Sequence, residues 1–336
     1  MALMFNASVK LMIVIRMVGG LASQLHKYAV LRSITSRENK EFKVDLSFYD
    51  YMDKKDFMYY GLPKLGFEPH VASYQEIVKA KEPTKTGKFI YFFNGLFSCV
   101  PYLNQFSIKV LNRLERMFLN TGFINKSYSS VHVSNSSSLD WIDSILEKEN
   151  IYISAEFGLR FDLIENIRND LKETIDNVVL KGNAKVYLNK INSSKTPLAM
   201  HIRRGDYVSN SKVNQFHGTC TKKYYINALE KYIKTDGLQV FVFSDDLDWV
   251  KEEFKDFLPK DTEFVSGNEN FEDFILMPNC ANHIIANSGF SSLSAWLSGT
   301  EDSNITSPSR WFVDESTNLN QMSMLPKGWN YIESND

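Results

Sequence analysis

The second half of the chain alternates short apolar runs with stretches of helical periodicity, and this alternation constrains the fold more than any other feature. The apolar runs lie at residues 198–203, 240–243, 264–265 and 283–286. The helical stretches lie at residues 222–233, 247–257, 270–277 and 291–297. Buried parallel strands are continuous apolar runs, and crossover helices join them. The pattern therefore predicts an α/β domain with a parallel sheet.

The first half begins with the same arrangement of strand and helix. Leu11–Ile15 is a continuous apolar run that predicts a central strand, and a glycine turn separates it from a helix predicted over Leu21–Ser36. Phe89–Phe93 is a second apolar run of the same kind. The two halves together predict an α/β protein of two Rossmann-like domains facing a cleft, which is the usual place for a ligand.

A polar loop at residues 192–197 marks the predicted boundary between the domains. It places one domain at residues 1–192 and the other at residues 193–336, with the last helix packing back on the first domain. A Ser- and Asn-rich segment before Asp140 predicts a surface connection, followed by a helix that opens at Ser138 or Asp140. Asp162–Leu180 is helical by period.

Charge and cysteine content exclude several classes of function. With 38 basic and 40 acidic residues the formal net charge is −2, so no global positive field draws the chain to nucleic acid. Cys99, Cys220 and Cys280 form an odd set without CxxC spacing, which fits a reducing compartment. The first apolar run is too short for a membrane span or a signal sequence. We therefore expect a protein of the cytoplasm.

Two adjacent arginines follow the buried run Pro197–Met200, within the segment His201-Ile-Arg-Arg-Gly-Asp-Tyr207. A guanidinium at the end of a buried strand needs an anionic partner, and its planar fork suits phosphate. Arg203 and Arg204 are therefore predicted to neutralise a diphosphate, with Asp206 orienting one of them and His201 bonding a nucleotide. The alternative is that both arginines form salt bridges at a domain interface.

The turn Gly19-Gly20-Leu-Ala-Ser-Gln24 joins the first strand to the first helix. Double glycine lets the backbone approach a ligand closely, and the amides at a helix N-terminus suit an anion. Only two glycines are present, so this is not the GxGxxG pattern. An ordinary tight turn is the alternative.

Acidic residues follow the strand that ends at Phe243, in the order Ser244-Asp-Asp-Leu-Asp248. Asp245 or Asp246 is predicted to accept hydrogens from a guanine edge or from ribose hydroxyls. One alternative is a helix start, which these residue types favour. Another is a DxD metal site at Asp246 and Asp248, which we disfavour because two arginines on the phosphates leave less need for a divalent cation. No HExxH or HxxxH histidine pair is present, so no metal site is predicted.

Small polar residues open the last predicted helix of the second domain, in the segment Asn287-Ser-Gly-Phe-Ser-Ser292. Hydroxyl groups at a helix N-terminus form a natural phosphate cradle, and this one lies at the same predicted sheet edge as the arginines. Helix capping by Ser288 or Ser291 is the alternative.

These segments together resemble a known family. HIRRGDY looks like the HxRRxD motif of the α-1,2- and α-1,6-fucosyltransferase superfamily. The ordered set is more specific: Gly-Gly-Leu-x-x-Gln, then HIRRGDY, then Phe-Ser-Asp-Asp-x-x-Trp, then Asn-Ser-x-Phe-Ser. This set is similar to bacterial α-1,2-fucosyltransferases of glycosyltransferase family 11, and it extends over about residues 11–300.

The resemblance implies a GT-B fold, GDP-β-L-fucose as donor, inversion to an α-L-fucoside, and neither metal nor cofactor. It implies that Arg203 and Arg204 hold the diphosphate, with Asp206 as a third catalytic residue. Substrate contacts are implied for Gly19, Gly20, Gln24, His201, Asp245, Asp246, Asn287, Ser288, Ser291 and Ser292. The first domain then faces the acceptor and the second binds GDP-fucose.

The same resemblance implies a galactose-terminated oligosaccharide or lipid-linked glycan as acceptor. The setting it implies is bacterial surface polysaccharide (O-antigen) synthesis, in the cytoplasm or peripherally at the inner face of the membrane. No general base is assigned. Two other functions stay open: a metal-dependent nucleotide-sugar transferase using Asp246 and Asp248, and a non-catalytic protein that binds a nucleotide or a sugar.

The glycine turn departs from the family pattern Gly-Gly-Leu-Gly-Asn-Gln-Met-Phe-Gln-Tyr-Ala. Ala22-Ser23 replace Gly-Asn, and Leu25-His26-Lys27 replace Met-Phe-Gln, while Gln24 and Tyr28 are kept. The serine side chain is shorter than that of asparagine. The departure therefore concerns this loop and acceptor preference, and leaves the predicted donor site unchanged.

Overall fold

The computed structural model contains two separate parallel sheets with helices packed against them. It describes residues 12–37, 40–49, 59–80, 142, 150–153, 158–299 and 304–334. The predicted α/β architecture with two parallel sheets, the GT-B class, is confirmed. The predicted strand Phe89–Phe93 and the predicted helix opening at Ser138 or Asp140 lie outside the described residues.

The first sheet has the strand order β2-β1-β3, and all described pairs are parallel. Its strands are β1 (Met12–Arg16), β2 (Phe42–Asp45) and β3 (Asn150–Ile153). The central strand β1 matches the strand predicted at Leu11–Ile15, displaced by one residue. Its continuous apolar run is explained by its position, because neighbours on both sides and packed helices bury it almost completely.

The second sheet has six described strands in the order β6-β5-β4-β7-β8-β9, all parallel. They are β4 (Thr196–Ile202), β5 (Leu238–Ser244), β6 (Glu263–Phe264), β7 (Asn282–Ile284), β8 (Asn304–Pro308) and β9 (Asn330–Ile332). The register pairs Ile202 of β4 with Ser244 of β5. The segments that follow these two strands therefore leave the sheet side by side.

Helices connect the strands and cover the sheets. They are α1 (Leu21–Arg37), α2 (Tyr74–Ala80), α3 (Arg168–Asp176), α4 (Gly182–Ser193), α5 (Gly205–Ser209), α6 (Ser211–His217), α7 (Lys222–Glu230), α8 (Leu247–Phe254), α9 (Asn270–Leu276), α10 (Gly289–Ser298) and α11 (Glu315–Met324). Helix α10 is buried on most sides, and Gly299 ends it in the left-handed conformation (φ 57°) that favours glycine.

Contacts join the elements of the two sheets. Helix α1, which follows the first strand, packs against α10 of the second sheet. Tyr59 donates a hydrogen bond to Asn270 at the start of α9, and Lys64 pairs with Glu269 beside it. These contacts hold the glycine turn and the second sheet in one packed unit.

The connection between the sheets runs through residues 158–193. Helix α4 lies before the predicted boundary at 192/193, yet it packs against the second sheet, where Tyr187 donates to the carbonyl of Phe264 over 3.1 Å. The last described helix α11 contacts the connection, since Gln321 bonds both the N–H and the carbonyl of Leu159. The domain boundary and the placement of the last helix stay predictions.

Several elements differ from the predicted pattern. Asp162–Leu180, predicted as one helix, contains two 3₁₀ turns (Phe161–Leu163 and Glu165–Ile167) before α3. No range was predicted for strands β2, β3, β8 and β9 or for helices α2, α4, α5, α6 and α11. In β8, for example, Thr306 and Ser307 are fully buried although neither is apolar.

Candidate functional site

Arg203 follows β4 directly and pairs with two carboxylates. Its terminal nitrogens lie 2.5 Å from an oxygen of Asp206 and 2.7 Å from Oδ2 of Asp245. Its side chain is 22% exposed, so the guanidinium stands at the surface of the sheet edge and not in the core. The predicted pairing of Asp206 with an arginine of the motif is thus present in the structure.

Arg204 has a carboxylate on one side and an aromatic ring on the other. Its Nε donates to Oδ2 of Asp246 over 3.0 Å, and its guanidinium carbon lies 3.6 Å from the centre of the Trp249 ring. Its two terminal nitrogens donate no hydrogen bond to any residue that the structure describes. A guanidinium has five N–H donors, so this one keeps up to four for an anion.

Asp246 serves two groups at once. One oxygen accepts from the backbone N–H of Trp249 and caps α8, while the other accepts from Arg204. The helix-start alternative for this residue is therefore realised, together with a contact to the arginine motif. Asp248, the second acid of the alternative DxD metal site, has a fully exposed side chain and lies 3.8 Å from Lys251.

Asp245 ties the end of β4 to the end of β5. Its Oδ1 accepts from the backbone N–H of Arg204 over 2.8 Å, and its Oδ2 pairs with Arg203. Gly205 allows this close approach, because a Cβ there would stand 2.5 Å from Oδ2 of Asp245. The parallel register explains the juxtaposition, since the residues after Ile202 and after Ser244 leave neighbouring strands at the same edge.

His201 is buried on β4 beside the ring of Phe290, 5.7 Å between ring centres. Burial lowers the pKa of His201 to about 3, with the charge of Arg203 acting in the same direction, so the imidazole is neutral at physiological pH. Its Nδ1 has no hydrogen-bond partner among the described residues. A buried nitrogen of this kind is costly unless a partner binds, and a nucleotide is the partner that the sequence predicts.

The predicted phosphate cradle lies at the N-terminus of α10. Ser288 occupies the N-cap position, but its side chain makes no capping hydrogen bond. Ser291 and Ser292 are fully buried, and their hydroxyls donate to the carbonyls of Ser288 and Gly289. In this conformation neither hydroxyl reaches solvent, and the substrate role of these serines stays a prediction.

Asn287 holds two loops together. Its amide nitrogen donates to the carbonyls of His217 (3.0 Å), Gly218 (3.3 Å) and Trp311 (3.4 Å), and its side-chain oxygen lies 3.5 Å from Sγ of Cys220. The residue is 3% exposed. Its side chain is thus committed to the architecture around the site, and a direct substrate contact stays a prediction.

The glycine turn is shaped by Gln24, which is fully buried. Its amide nitrogen donates to the carbonyls of Gly19 (3.0 Å) and Tyr59 (2.7 Å), and its side-chain oxygen accepts from Gly61 over 2.8 Å. Gly19 has φ 86°, which favours glycine, whereas a Cβ on Gly20 would meet no described atom within 4 Å. A side chain at Gly20 would therefore meet open space, and the substrate contact of this turn stays a prediction.

Three residues of the site were not singled out from the sequence. Trp249 supports Arg204, and its signal was available as the last residue of the Phe-Ser-Asp-Asp-x-x-Trp segment. Tyr207 places its ring 5.5 Å from the guanidinium of Arg203 and donates to the carbonyl of Asn287. His217 stacks on Tyr207, and no local sequence pattern indicated that contact.

Two other features bear on the class of protein. The part of the chain that the structure describes contains no group of three or more His, Cys, Asp and Glu side chains that could hold a metal ion. Within the same part, no helix combines the length and the hydropathy needed to cross a membrane.

A cavity of about 340 Å³ lies between residues 160–165 and 323–327, but it contains none of the predicted site residues. This cavity is therefore separate from the predicted site at the edge of β4 and β5.

Comparison with known proteins gives a consistent family. The model of glycosyl transferase family 11 matches residues 124–333. The chain is 30% identical over 332 residues to an alpha-1,2-colitosyltransferase of Escherichia coli, covering 96% of this chain and 99% of that protein. It is 34% identical over 175 residues to the O-antigen biosynthesis glycosyltransferase WbnK of Escherichia coli, covering 51% of this chain and 52% of that protein.

Solved structures give a weaker likeness. The fucosyltransferase NodZ from Bradyrhizobium aligns with 86% of this chain and 92% of its own length, at 14% identity and a TM-score of 0.43.

Proposed function

The chain belongs to glycosyl transferase family 11, and from this premise we propose that it transfers L-fucose from GDP-β-L-fucose to the 2-hydroxyl of a galactoside acceptor. The proposed reaction inverts the anomeric centre and uses neither a metal ion nor a cofactor. The acceptor is a galactose-terminated oligosaccharide or a lipid-linked glycan of a bacterial surface polysaccharide. The relative named for O-antigen biosynthesis supports that setting, in the cytoplasm or at the inner face of the membrane.

The paired arginines after β4 carry this proposal. The terminal nitrogens of Arg204 make no hydrogen bond to the described residues, and Arg203 stands beside it, held by Asp206 and Asp245. In the proposed step the bond between C1 of fucose and the β-phosphate oxygen breaks, and C1 bonds the acceptor oxygen on its opposite face. GDP leaves with the bonding electron pair, and the acceptor hydroxyl releases its proton to solvent water, because no general base is assigned.

The arginines stabilise the charge that grows on the β-phosphate as this bond breaks. They are held in place before substrate binds, so little reorganisation is needed at the moment of reaction. Removing one preorganised donor of this kind typically costs about 3–4 kcal/mol in the barrier, or about 10²–10³ in rate. The N–H donors that Arg204 keeps for an anion can serve the phosphate where other nucleotide-sugar transferases use a divalent cation, which supports a metal-independent reaction.

Donor identity has a second candidate. The relative named as an alpha-1,2-colitosyltransferase matches nearly the whole chain, and colitose is L-fucose without the hydroxyl at C3. A site built to hydrogen-bond a substrate hydroxyl strongly rejects the analogue that lacks it, whereas an apolar site discriminates weakly. The ratio of kcat/KM for GDP-fucose and GDP-colitose therefore decides which sugar the site is built for.

The decisive experiment measures GDP release from GDP-fucose with EDTA present, across galactosides such as lactose and Galβ1,3-GalNAc. Acceptor-dependent release supports the proposal, whereas release that EDTA abolishes supports a metal-dependent transferase. GDP binding by calorimetry without turnover supports a non-catalytic binding protein. Arg203→Ala is expected to lower turnover by about 10²–10³. Arg32→Ala is the matched control, since Arg32 is exposed on α1.

A further inference from the structure

A continuous path of rings leads from the arginine motif to the protein surface. The guanidinium carbon of Arg203 lies 5.5 Å from the centre of the Tyr207 ring. Tyr207 stacks on His217 at 4.8 Å, with an angle of 11° between the ring planes. His217 in turn contacts Phe216 at 4.8 Å and Phe312 at 5.1 Å. The path thus consists of one guanidinium–ring contact and two ring-to-ring steps from the predicted diphosphate position.

The outer end of this path is exposed. Phe216 is 49% exposed and Val313 is 43% exposed, while the rings of Phe216 and Phe312 contact each other at 5.0 Å. The backbone N–H of Val313 donates to the carbonyl of Phe216 over 3.0 Å, so the residues form one surface. We name Phe216, Phe312 and Val313 the aromatic platform.

Hydrogen bonds fix the platform before any ligand binds. Asn287 bonds the carbonyls of His217 and Trp311, the residues next to the two platform phenylalanines. Arg310 donates to the carbonyls of residues 312 and 313, and Asn318 accepts from the backbone N–H of Trp311. A surface held in this way loses little conformational entropy on binding, which favours affinity.

The surroundings of the platform indicate the chemistry of its ligand. Exposed polar residues flank it in the chain, with Asn214 and Gln215 before Phe216 and with Asp314, Glu315 and Ser316 after Val313. Rings combined with hydrogen-bonding amides and hydroxyls suit a sugar, which has an apolar face and a polar rim. The flanking charges, Arg310 against Asp314 and Glu315, do not form the basic cluster that binds an anionic lipid surface. Three side chains also fall well short of the roughly 800 Å² per partner that a stable protein interface buries.

We propose that the aromatic platform binds the acceptor glycan through sugars beyond the one that receives fucose. This inference rests on the proposed function, because it takes the donor diphosphate to lie at Arg203. The guanidinium–ring contact and the two ring-to-ring contacts bound the separation between Arg203 and Phe216, and a short oligosaccharide is long enough to span it. The platform sets preference for acceptor length, and the arginine cluster sets donor chemistry.

The test compares a short acceptor with a long one. The probes are methyl β-galactoside, which ends before the platform, and the tetrasaccharide lacto-N-tetraose. Phe216→Ala is expected to raise KM for the tetrasaccharide about tenfold, because about 55 Å² of apolar contact is lost at about 25 cal/mol per Å². For the same Phe216→Ala variant, kcat is expected to stay at the wild-type value. Its KM for methyl β-galactoside and its KM for GDP-fucose are expected to stay at wild-type values as well. Phe216→Trp keeps wild-type KM for both acceptors.

Phe257→Ala is the matched control, because Phe257 is 43% exposed and lies near Lys222, outside the platform. The platform is overturned if Phe216→Ala leaves both KM values unchanged or raises both equally. Absence of transfer to either acceptor by the wild type counts against the proposed function alone. In that case saturation-transfer NMR of lacto-N-tetraose tests whether the platform binds the glycan. A wild-type signal that is lost in Phe216→Ala supports binding at the platform, and no signal with the wild type overturns it.

Discussion

The guanidinium of Arg204 lies 3.6 Å from the centre of the Trp249 indole ring, while its Nε bonds Asp246. The two contacts fix the guanidinium plane from the face and from one edge. The opposite edge, with both terminal nitrogens, makes no hydrogen bond to the described residues. Trp249 therefore orients a cation whose free edge is positioned to meet an anion.

Trp249→Leu is expected to lower kcat/KM for the donor about fivefold, because a partly exposed cation–π contact contributes about 1 kcal/mol. Trp249→Phe keeps a ring and is expected to retain most of the activity. Steady-state kinetics and GDP calorimetry measure both. A leucine variant with wild-type donor kinetics and GDP affinity would show that the ring does not position Arg204.

The sequence predicted best the parts of this fold in which local pattern and tertiary environment agree. The run Leu198-Ala-Met200 is apolar throughout and is buried on both faces of a central strand, so pattern and position coincide. Strands β1 and β5 follow the same rule over most of their length, and the helices between the strands show helical periodicity. The polar strand β8 was missed, because burial of Thr306 and Ser307 depends on neighbours that the local sequence does not specify.

The contacts of the candidate site also fall into two groups: those that follow from local sequence position, and those that depend on residues far away in the chain. The clustering of Arg203 with Asp245 follows from the position of both residues after neighbouring parallel strands. The sequence placed each residue after a strand of one parallel sheet, but the contact between them was not predicted. The contacts of Asn287 did not follow, since its partners His217 and Trp311 lie 70 and 24 positions away in the chain. A motif identifies side chains with a special role, but long-range contacts decide whether a side chain faces the ligand or supports the residues that do.

Asp246 provides a test that separates capping from pairing. Asp246→Ala removes both functions and is expected to lower the free energy of unfolding by about 1 kcal/mol, the usual cost of a lost N-cap. Asp246→Asn keeps a good capping residue and is expected to keep wild-type stability, while GDP affinity changes because Arg204 loses its charged partner. Urea unfolding and GDP calorimetry on the same two variants measure the two effects. Equal losses in the free energy of unfolding for both variants would contradict the assignment of the stability effect to helix capping.

Stability is expected to fall as the pH drops from about 7 to 5. Burial lowers the pKa of His26 to about 4, that of His201 to about 3 and that of His283 to about 4. The unfolded chain protonates these groups below about 6.5, so it binds more protons than the folded state, and acid favours unfolding. Burial also raises the pKa of Asp273 to about 6. The folded state therefore binds this proton more tightly than the unfolded chain, and this one group stabilises the fold as the pH falls.

Each buried histidine contributes at most about 1.4 kcal/mol per pH unit to this slope. His26 accepts a hydrogen bond from the backbone N–H of Arg160, and a glutamine oxygen can accept in its place. His26→Gln is therefore expected to reduce the proton uptake on unfolding by about one in this pH range. Urea midpoints at several pH values measure the slope, and an unchanged slope would show that His26 is not buried in its neutral form.

The glycine turn offers a pair of neighbouring substitutions with opposite expectations. Gly19 has φ 86° and stands next to Ser23, so Gly19→Ala is expected to lower the free energy of unfolding by about 1 kcal/mol. Gly20 has open space where its Cβ would be, so Gly20→Ala is expected to keep wild-type stability. If substrate approaches the turn closely, that methyl group lowers kcat/KM while the protein stays folded. Thermal unfolding and transfer kinetics on both variants separate the two effects, and full activity in Gly20→Ala would place the substrate away from this turn.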